Sequence, residues 1–393
     1  MKRLVLLGST GSIGENTLRV VDSLPGAFRV VGLAANRNWR RAIEQAIRYQ
    51  VPVVALADEG AARLAREAAP PSIKVLVGLE GICELAANPD ADVVVMALVG
   101  MAGLKPSLAA IDAGHDLALA TKEVLVAAGE IVMRRRAQTG TRILPVDSEH
   151  SAIFQAMQST QWCAACVQTG RMPCAEDYLE SLTLTASGGP FFEQRGIDLS
   201  KVSLQQAMAH PTWAMGRKVT IDSATMMNKG LELIEAHWLF NMPVERLHAI
   251  VHPESIVHSL ITYRDGTSLA QLSPPDMRYP IQYALTYPER RSVPMPRLDL
   301  SQVAGLHFCP PDDDRFPALA LARTAMSLGG TAPTVLNAAN EVAVERFIQG
   351  EISFACIAQL VERALSCHTV NRSPSLDEIL SVDTEVRAQV SEY

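Results

Sequence analysis

Residues 222–240 run Asp-Ser-Ala-Thr-Met-Met-Asn-Lys-Gly-Leu-Glu-Leu-Ile-Glu-Ala-His-Trp-Leu-Phe, and they carry the densest chemistry in the chain. Read as a helix from Met226 onward, Asn228 and Glu232 stand four residues apart, and Lys229 and Glu232 three apart. Both spacings put side chains on one helical face. An amide, an ammonium and a carboxylate then converge beside the hydroxyl of Ser223. Ser, Asn and Lys suit a phosphate ester, while Glu suits a metal or a proton. A plain polar outer face is the alternative for this window alone.

A second acidic group lies upstream, in Leu144-Pro-Val-Asp147-Ser148-Glu149-His150. This segment ends a predicted strand, and extended backbone would point Asp147 and Glu149 to one side. Two such carboxylates repel unless a cation lies between them. With Glu232 they make three hard oxygen donors of the kind Mg²⁺ or Mn²⁺ prefers. The bland reading is a polar strand end that caps the next helix. Two further segments have chemical character. Thr185-Ala-Ser187-Gly-Gly-Pro-Phe191 sets a serine beside paired glycines whose amides can assist a phosphate. His210-Pro-Thr-Trp213-Ala-Met-Gly216-Arg-Lys218 lacks either periodicity and suits a lid that closes over substrate. A histidine alone is more often structural, and this applies to His150, His237, His252 and His258 as well.

These groups need a scaffold, and the first 150 residues supply one. Apolar runs at Arg3–Gly8, Phe28–Ala35, Val51–Ala57, Lys74–Val77, Asp92–Leu98, Asp116–Ala120 and Arg142–Val146 alternate with helix-like stretches. Such alternation predicts a Rossmann-like α/β domain, a mostly parallel sheet with ligands at its carboxyl edge. The loop Gly8-Ser-Thr-Gly11-Ser-Ile-Gly14 follows the first strand and opens a helix, so Thr10, Gly11, Ser12 and Ile13 would line a pyrophosphate. Its spacing departs from G-x-G-x-x-G. After the second strand the chain reads Ala35-Asn36-Arg37-Asn38, with no acid for a ribose 2′-hydroxyl. Arg37 can instead neutralise a 2′-phosphate, which favours NADP over NAD.

The remaining chain reads as an α+β segment, then helices. Ser255–Leu272 predicts two strands around the Asp265-Gly266 turn. Pro288–Asp314 has the composition of a linker. Pro317–Leu328, Pro333–Phe347, Ser353–Leu365 and Asp377–Val390 read as amphipathic helices. The expected division is 1–149 for the cofactor, 150–287 for catalysis and dimerisation, 288–314 as linker, and 315–393 as a helical domain.

Composition narrows the classes. The net charge of −7 over 393 residues gives no electrostatic case for nucleic-acid binding. The one basic run, Arg134–Arg136, reads as a solvated helix end. The longest apolar window, Val93–Leu104, is too short to span a bilayer, and no signal segment precedes the first strand, so a cytoplasmic protein is expected. Seven cysteines form an odd, scattered set that favours free thiols. Cys163 and Cys166 with Cys174 lack a fourth zinc ligand at suitable spacing and read as loop cysteines.

Taken together, Gly8–Gly14, Leu119–Val124, Leu144–Gln155, Thr185–Phe191, His210–Phe240, His252–Ser259, Ala270–Leu285 and Asn337–Glu341 resemble the 1-deoxy-D-xylulose 5-phosphate reductoisomerase family, in its order and spacing. The resemblance implies a homodimer with NADPH and a divalent metal. It also implies a reaction that rearranges a ketose phosphate by retro-aldol and re-aldol steps and then reduces the aldehyde. It places the metal on Asp147, Glu149 and Glu232. Substrate falls to Lys122, Ser148, Glu149, Ser187, His210, Trp213, Ser223, Asn228, Lys229 and Glu232, with Lys122, Glu149, His210 and Glu232 closest to the chemistry. Cofactor contacts fall to Thr10–Ile13, Asn36–Asn38, Thr121, Glu123 and Gly216. Three positions depart from the family's pattern. Thr121 stands for an asparagine, Ala35–Asn38 lacks a glycine, and Ser273 replaces a common glycine. Another two-domain NADP-dependent oxidoreductase would share the glycine loop but would not need the carboxylate triad. A nucleotide-binding sensor on the same fold would have lost its metal or phosphate residues, and none is lost here.

Overall fold

The structure is a computed structural model, and it describes residues 1–158, 179–213 and 215–393. The Cys163/Cys166/Cys174 reading lies outside the described residues. Strands β1 (Lys2–Leu7), β2 (Phe28–Ala35), β3 (Val53–Leu56), β4 (Lys74–Val77), β5 (Val93–Met96), β6 (Asp116–Leu119) and β7 (Ile143–Pro145) all appear where the apolar runs predict them. They form one parallel sheet in the order β4-β3-β2-β1-β5-β6-β7. Helices α1 (Ser12–Ser23), α2 (Trp39–Tyr49), α3 (Glu59–Ala68), α4 (Gly78–Ala86), α5 (Leu104–Asp112) and α6 (Glu123–Thr139) make the crossovers. Period-2 alternation between two covered faces explains why β1 is apolar from Leu4 to Leu7. Leu4 and Leu6 enter the core on one face of the sheet, Val5 and Leu7 the core on the other, and all four are buried.

The strand order reverses between β1 and β5. That switch point is where an open α/β sheet leaves a crevice at its carboxyl edge. Two glycines of the first loop are there for packing. Gly8 has φ +94°, and a Cβ on it would lie 2.2 Å from the carbonyl oxygen of Ala97; a Cβ on Gly14 would lie 2.3 Å from that of Gly8. Only Gly11 keeps its surroundings open toward the crevice.

A second, four-stranded sheet has the order β11-β10-β8-β9, built from β8 (Leu179–Ala186), β9 (Leu247–Val251), β10 (Val257–Tyr263) and β11 (Ser268–Leu272). The predicted hairpin is β10–β11, paired antiparallel across the Asp265-Gly266 turn. Helix α7 (Ser148–Met157) leaves the end of β7 and packs against β10 and β11, joining the two sheets. Then follow α8 (Leu204–Ala207), α9 (Arg217–Ala224), α10 (Met227–Phe240) and α11 (Arg278–Thr286). Helices α12 (Ala318–Leu328), α13 (Ala332–Gln349), α14 (Phe354–Cys367) and α15 (Leu376–Glu392) close the chain, within a few residues of the expected segments. The stretch between α11 and α12 holds one short 3₁₀ turn and a single bridge, Val251 to Cys309, as its Pro-rich composition predicts.

The reading of Arg134–Arg136 as a solvated helix end needs correction. Arg136 is buried and donates from Nε to the carbonyl of Thr141, while Arg135 pairs with Asp112 at 2.6 Å. Gly140, in the left-handed region at φ 74°, caps the helix and lets the Thr141 carbonyl meet the Arg136 guanidinium.

Candidate active site

One cavity runs from the switch point of the large sheet to the end of β8. Its walls come from the glycine loop after β1 (Gly11–Ile13), the turns after β5 (Ala97–Val99) and β6 (Ala120–Glu123), the start of α7, the segment after β8, and α9–α10. Strand carboxyl ends and helix amino ends meet there, so free backbone N–H groups and positive dipole ends face the space.

The expected pairing of Asp147 and Glu149 holds, but by a different geometry from the one the sequence predicts. The backbone is not extended through Glu149. Asp147 is the N-cap of α7 and Glu149 lies in its first turn, where the helix dipole favours acids. The two carboxylates meet Glu232, from the second turn of α10, with ligand oxygens within 4.8 Å of one another. Lys122 Nζ lies 2.5 Å from Asp147 and 2.8 Å from Glu232, and Asn228 Oδ1 accepts from it at 2.9 Å. Lys229 Nζ lies 2.8 Å from Glu149 and also pairs with Glu232. Three carboxylates and two ammonium groups are thus packed together, all largely buried.

The electrostatics follow from that packing. Burial raises the Glu149 carboxyl, and the Glu232 and Asp147 charges add to it, so it is pushed up to about 8 despite Lys229. Burial also acts on Asp147, but Lys122, helped by His150 and Lys229, outweighs it and holds that carboxyl low. Burial lowers Lys122, while Asp147 and Glu232 more than reverse the effect and keep it charged. With every carboxylate ionised the five groups sum to −3 + 2 = −1. Three hard oxygen donors with that charge fit Mg²⁺ or Mn²⁺; Asp147 also belongs to a second candidate ligand group with His150 and Glu235.

A second polar group occupies the other end. His210 Nδ1 accepts from the backbone N–H of Thr212 (3.1 Å) and Trp213 (2.9 Å). In the neutral ring the proton is therefore on Nε2, which faces Ser187 Oγ at 2.9 Å and Ser223 Oγ at 3.1 Å. Burial lowers the His210 pKa and favours that neutral form. Two hydroxyls and an imidazole N–H converge, a donor set for phosphate oxygens. Gly189, at φ +66°, lets this loop approach α9 closely, since a Cβ there would lie 2.8 Å from Ser223 O. Met226, the αL residue between α9 and α10 (φ +66°), turns the chain so that Ser223 and Asn228–Glu232 face one cavity.

Most expected site residues line this cavity: Gly11, Ser12, Ile13, Thr121, Lys122, Glu123, Asp147, Ser148, Glu149, Ser187, His210, Trp213, Gly216, Ser223, Asn228, Lys229 and Glu232. Asn228 and Lys229 engage the carboxylates here, not the Ser187–His210–Ser223 group. Thr10, Asn36, Arg37 and Asn38 lie outside the cavity wall. Asn38 caps α2 through Arg41 N–H, and the exposed Arg37 pairs with Asp58 at 3.3 Å. Thr121 turns its hydroxyl to the carbonyl of Leu98 (2.5 Å), and Glu123 binds Lys218 at 2.7 Å. His258, which the sequence reads as structural, lines the cavity with its ring edge-on to Trp213 at 6.1 Å. Sequence reasoning missed the buried His150–Glu235 pair at 3.3 Å, whose His150 Nε2 meets the Glu232 carbonyl at 2.9 Å. Residue type alone does not separate a cavity-lining histidine from a structural one; tertiary packing decides it.

A dinucleotide-type sheet, a carboxylate triad beside its switch point and a phosphate-type donor set define a metal-assisted oxidoreductase of phosphorylated substrates. The family profiles described as 1-deoxy-D-xylulose 5-phosphate reductoisomerase, its C-terminal domain, and the DXP reductoisomerase C-terminal domain match residues 4–129, 143–240 and 272–389. Among relatives, the 1-deoxy-D-xylulose 5-phosphate reductoisomerase of Symbiobacterium thermophilum is 48% identical over 98% of this chain and 97% of its own. That of Pelotomaculum thermopropionicum is 47% identical over 98% and 97%. A DOX-P reductoisomerase solved with NADPH, fosmidomycin and magnesium superposes with TM-score 0.92 at 38% identity, covering 100% of this chain and 98% of that one. The Zymomonas mobilis enzyme solved with NADPH gives 0.89 at 40%, with coverage of 100% and 98%. The chain belongs to the 1-deoxy-D-xylulose 5-phosphate reductoisomerase family.

Proposed function

We propose that this chain converts 1-deoxy-D-xylulose 5-phosphate to 2-C-methyl-D-erythritol 4-phosphate with NADPH and Mg²⁺ or Mn²⁺, a step of isoprenoid precursor synthesis. The observation that carries the reading is the carboxylate triad meeting the Ser187–His210–Ser223 group in one cavity at the sheet's switch point. A simple dehydrogenase has no use for both. The rearrangement conserves composition; the reduction then takes one hydride from NADPH and one proton.

Asp147, Glu149 and Glu232 would hold a divalent cation, which would supply Lewis-acid stabilisation of charge on substrate oxygens. Ser187, Ser223 and the Nε2–H of His210 grip the phosphate, and that remote binding energy keeps the rearranging fragments in register. Asn228 and Lys229 stand at the carboxylate end, where an amide and an ammonium can serve substrate oxygens. Lys122 holds an ammonium against the carboxylates, where it can stabilise an oxyanion or pass a proton. Trp213 packs over His258 and shields the reacting carbons from water. Gly11–Ile13 offer N–H groups to the pyrophosphate, and Arg37 with Asn36 and Asn38 receives the 2′-phosphate.

The proposal divides the chain at 149, 287 and 314 and takes it to be a cytoplasmic homodimer. Among the described residues no helix is long and apolar enough to cross a membrane. The dimer reading is supported by β11, an edge strand with Ser268–Ala270 exposed. Light scattering at twice the 42.5 kDa chain mass would bear it out, and a monomer would refute it. The reaction itself is tested by NADPH oxidation with 1-deoxy-D-xylulose 5-phosphate. Metal-dependent turnover abolished by EDTA supports the reading. NADPH binding without turnover overturns it.

A further inference from the structure

Lys218 lies in the first turn of α9, two residues past Gly216, and does not itself line the cavity. Its ammonium is held by two carboxylates, Glu123 Oε1 at 2.7 Å and Asp222 Oδ2 at 2.8 Å. All three side chains are largely removed from water, with exposures of 17%, 8% and 1%. Burial alone would discharge such a lysine, but Asp222 and Glu123 outweigh it and keep it charged. The other oxygen of Asp222 accepts from Asn340 of α13 at 2.8 Å. Three separate elements therefore meet on one ammonium: α6, α9 and, through Asp222, α13.

The neighbours of these partners give the junction its meaning. Glu123 follows Lys122, which holds Asp147 and Glu232. Asp222 precedes Ser223, which faces His210 and Ser187. The segment carrying His210 and Trp213 runs directly into α9. A mere surface ion pair would be worth little, but a buried ammonium shared by two acids fixes geometry, because losing it leaves uncompensated charge. We propose that Lys218 is a positioning residue, clamping the start of α6 to α9 and so setting the distance between the carboxylate end and the phosphate-gripping end of the cavity. It touches neither substrate nor cofactor; it acts through Lys122 and Ser223. This inference rests on the reaction proposed above for its kinetic consequences, though not for its binding ones.

The test uses the full chain with two variants. Lys218→Met removes the clamp. Asp222→Asn keeps the shape and the Lys218–Glu123 pair and serves where the first variant folds poorly. Affinity for inorganic phosphate, by titration calorimetry, reads the phosphate end without requiring turnover. The expected result is a tenfold or greater loss of phosphate affinity in Lys218→Met and about fivefold in Asp222→Asn, each in folded protein. Where turnover is measurable, kcat falls and the KM for the phosphorylated ketose rises. A purely stabilising role would lower the melting temperature and leave phosphate affinity, kcat and KM at wild-type values in the folded fraction; that outcome overturns the proposal. Wild-type protein that is silent with 1-deoxy-D-xylulose 5-phosphate while the phosphate contrast persists refutes the reaction but supports the clamp.

Discussion

Glu232→Gln is the perturbation that separates metal chemistry from simple packing. The carboxylate is 1% exposed and serves Lys122, Lys229 and Asn228 at once. A glutamine keeps the volume and one acceptor oxygen, but presents an NH₂ to one of the two ammonium groups. With every other carboxylate ionised the cluster charge moves from −1 to 0, so a divalent cation loses one of its three anionic donors. A unit charge pair at 4 Å is worth about 4 kcal/mol at an effective dielectric of 20. Allowing for the retained carbonyl, a loss of about 3–4 kcal/mol of transition-state stabilisation is expected, or about 10²–10³ in kcat. Folding should survive, because Lys122 keeps Asp147 and Lys229 keeps Glu149. The cofactor loop after β1 does not touch Glu232, so the NADPH dissociation constant should stay within about twofold of wild type, within the ordinary scatter of distant substitutions. The assay is NADPH oxidation at saturating 1-deoxy-D-xylulose 5-phosphate across a Mg²⁺ titration, with NADPH binding followed separately by its fluorescence. Turnover within threefold of wild type at the same Mg²⁺ midpoint would remove Glu232 from the metal site, and the reasoning with it.

Further outcomes follow from other parts of the cavity. Ser223→Ala deletes one of three donors at the phosphate end; with a hydrogen bond to a charged group worth about 1.5–3 kcal/mol, kcat/KM should fall about 10–100-fold, measured by initial rates. Gly14→Ala drives a Cβ to 2.3 Å from the Gly8 carbonyl and should weaken NADPH binding at least tenfold or lower the melting temperature, read by cofactor fluorescence and calorimetry. His258 is depressed to about 4 by burial, so the unfolded chain binds its proton first on acidification. Its contribution is present above about 6.5 and is lost as pH falls toward about 4, up to about 3 kcal/mol in all. His258→Gln should flatten the decline in melting temperature between those pH values, and an unchanged slope would refute the assignment.

What the sequence made legible follows the range of the interactions involved. The parallel sheet was legible because buried strands are continuous apolar runs, and Phe28–Ala35 and Lys74–Val77 match to the residue. Asn228, Lys229 and Glu232 were legible because helical spacing alone puts them on one face. Asp147 and Glu149 were joined for a reason that does not hold. Strand alternation predicts them on one side, whereas a helix cap and its first turn bring them together. Either geometry converges two acids at a strand's carboxyl edge. No such local rule reaches Lys218, whose partner Glu123 is 95 positions away, or His150, whose contact with the Glu232 carbonyl spans 82. The pairs Lys122–Glu232 and Lys229–Glu149 span 110 and 80. Spacing could nominate these charges, but only the packing of α6 and α7 against α10 decides which ammonium meets which acid. Residues that act by touching ligand therefore advertise themselves through type and motif. Residues that hold those in place, such as Lys218, look like any solvated lysine until the chain folds.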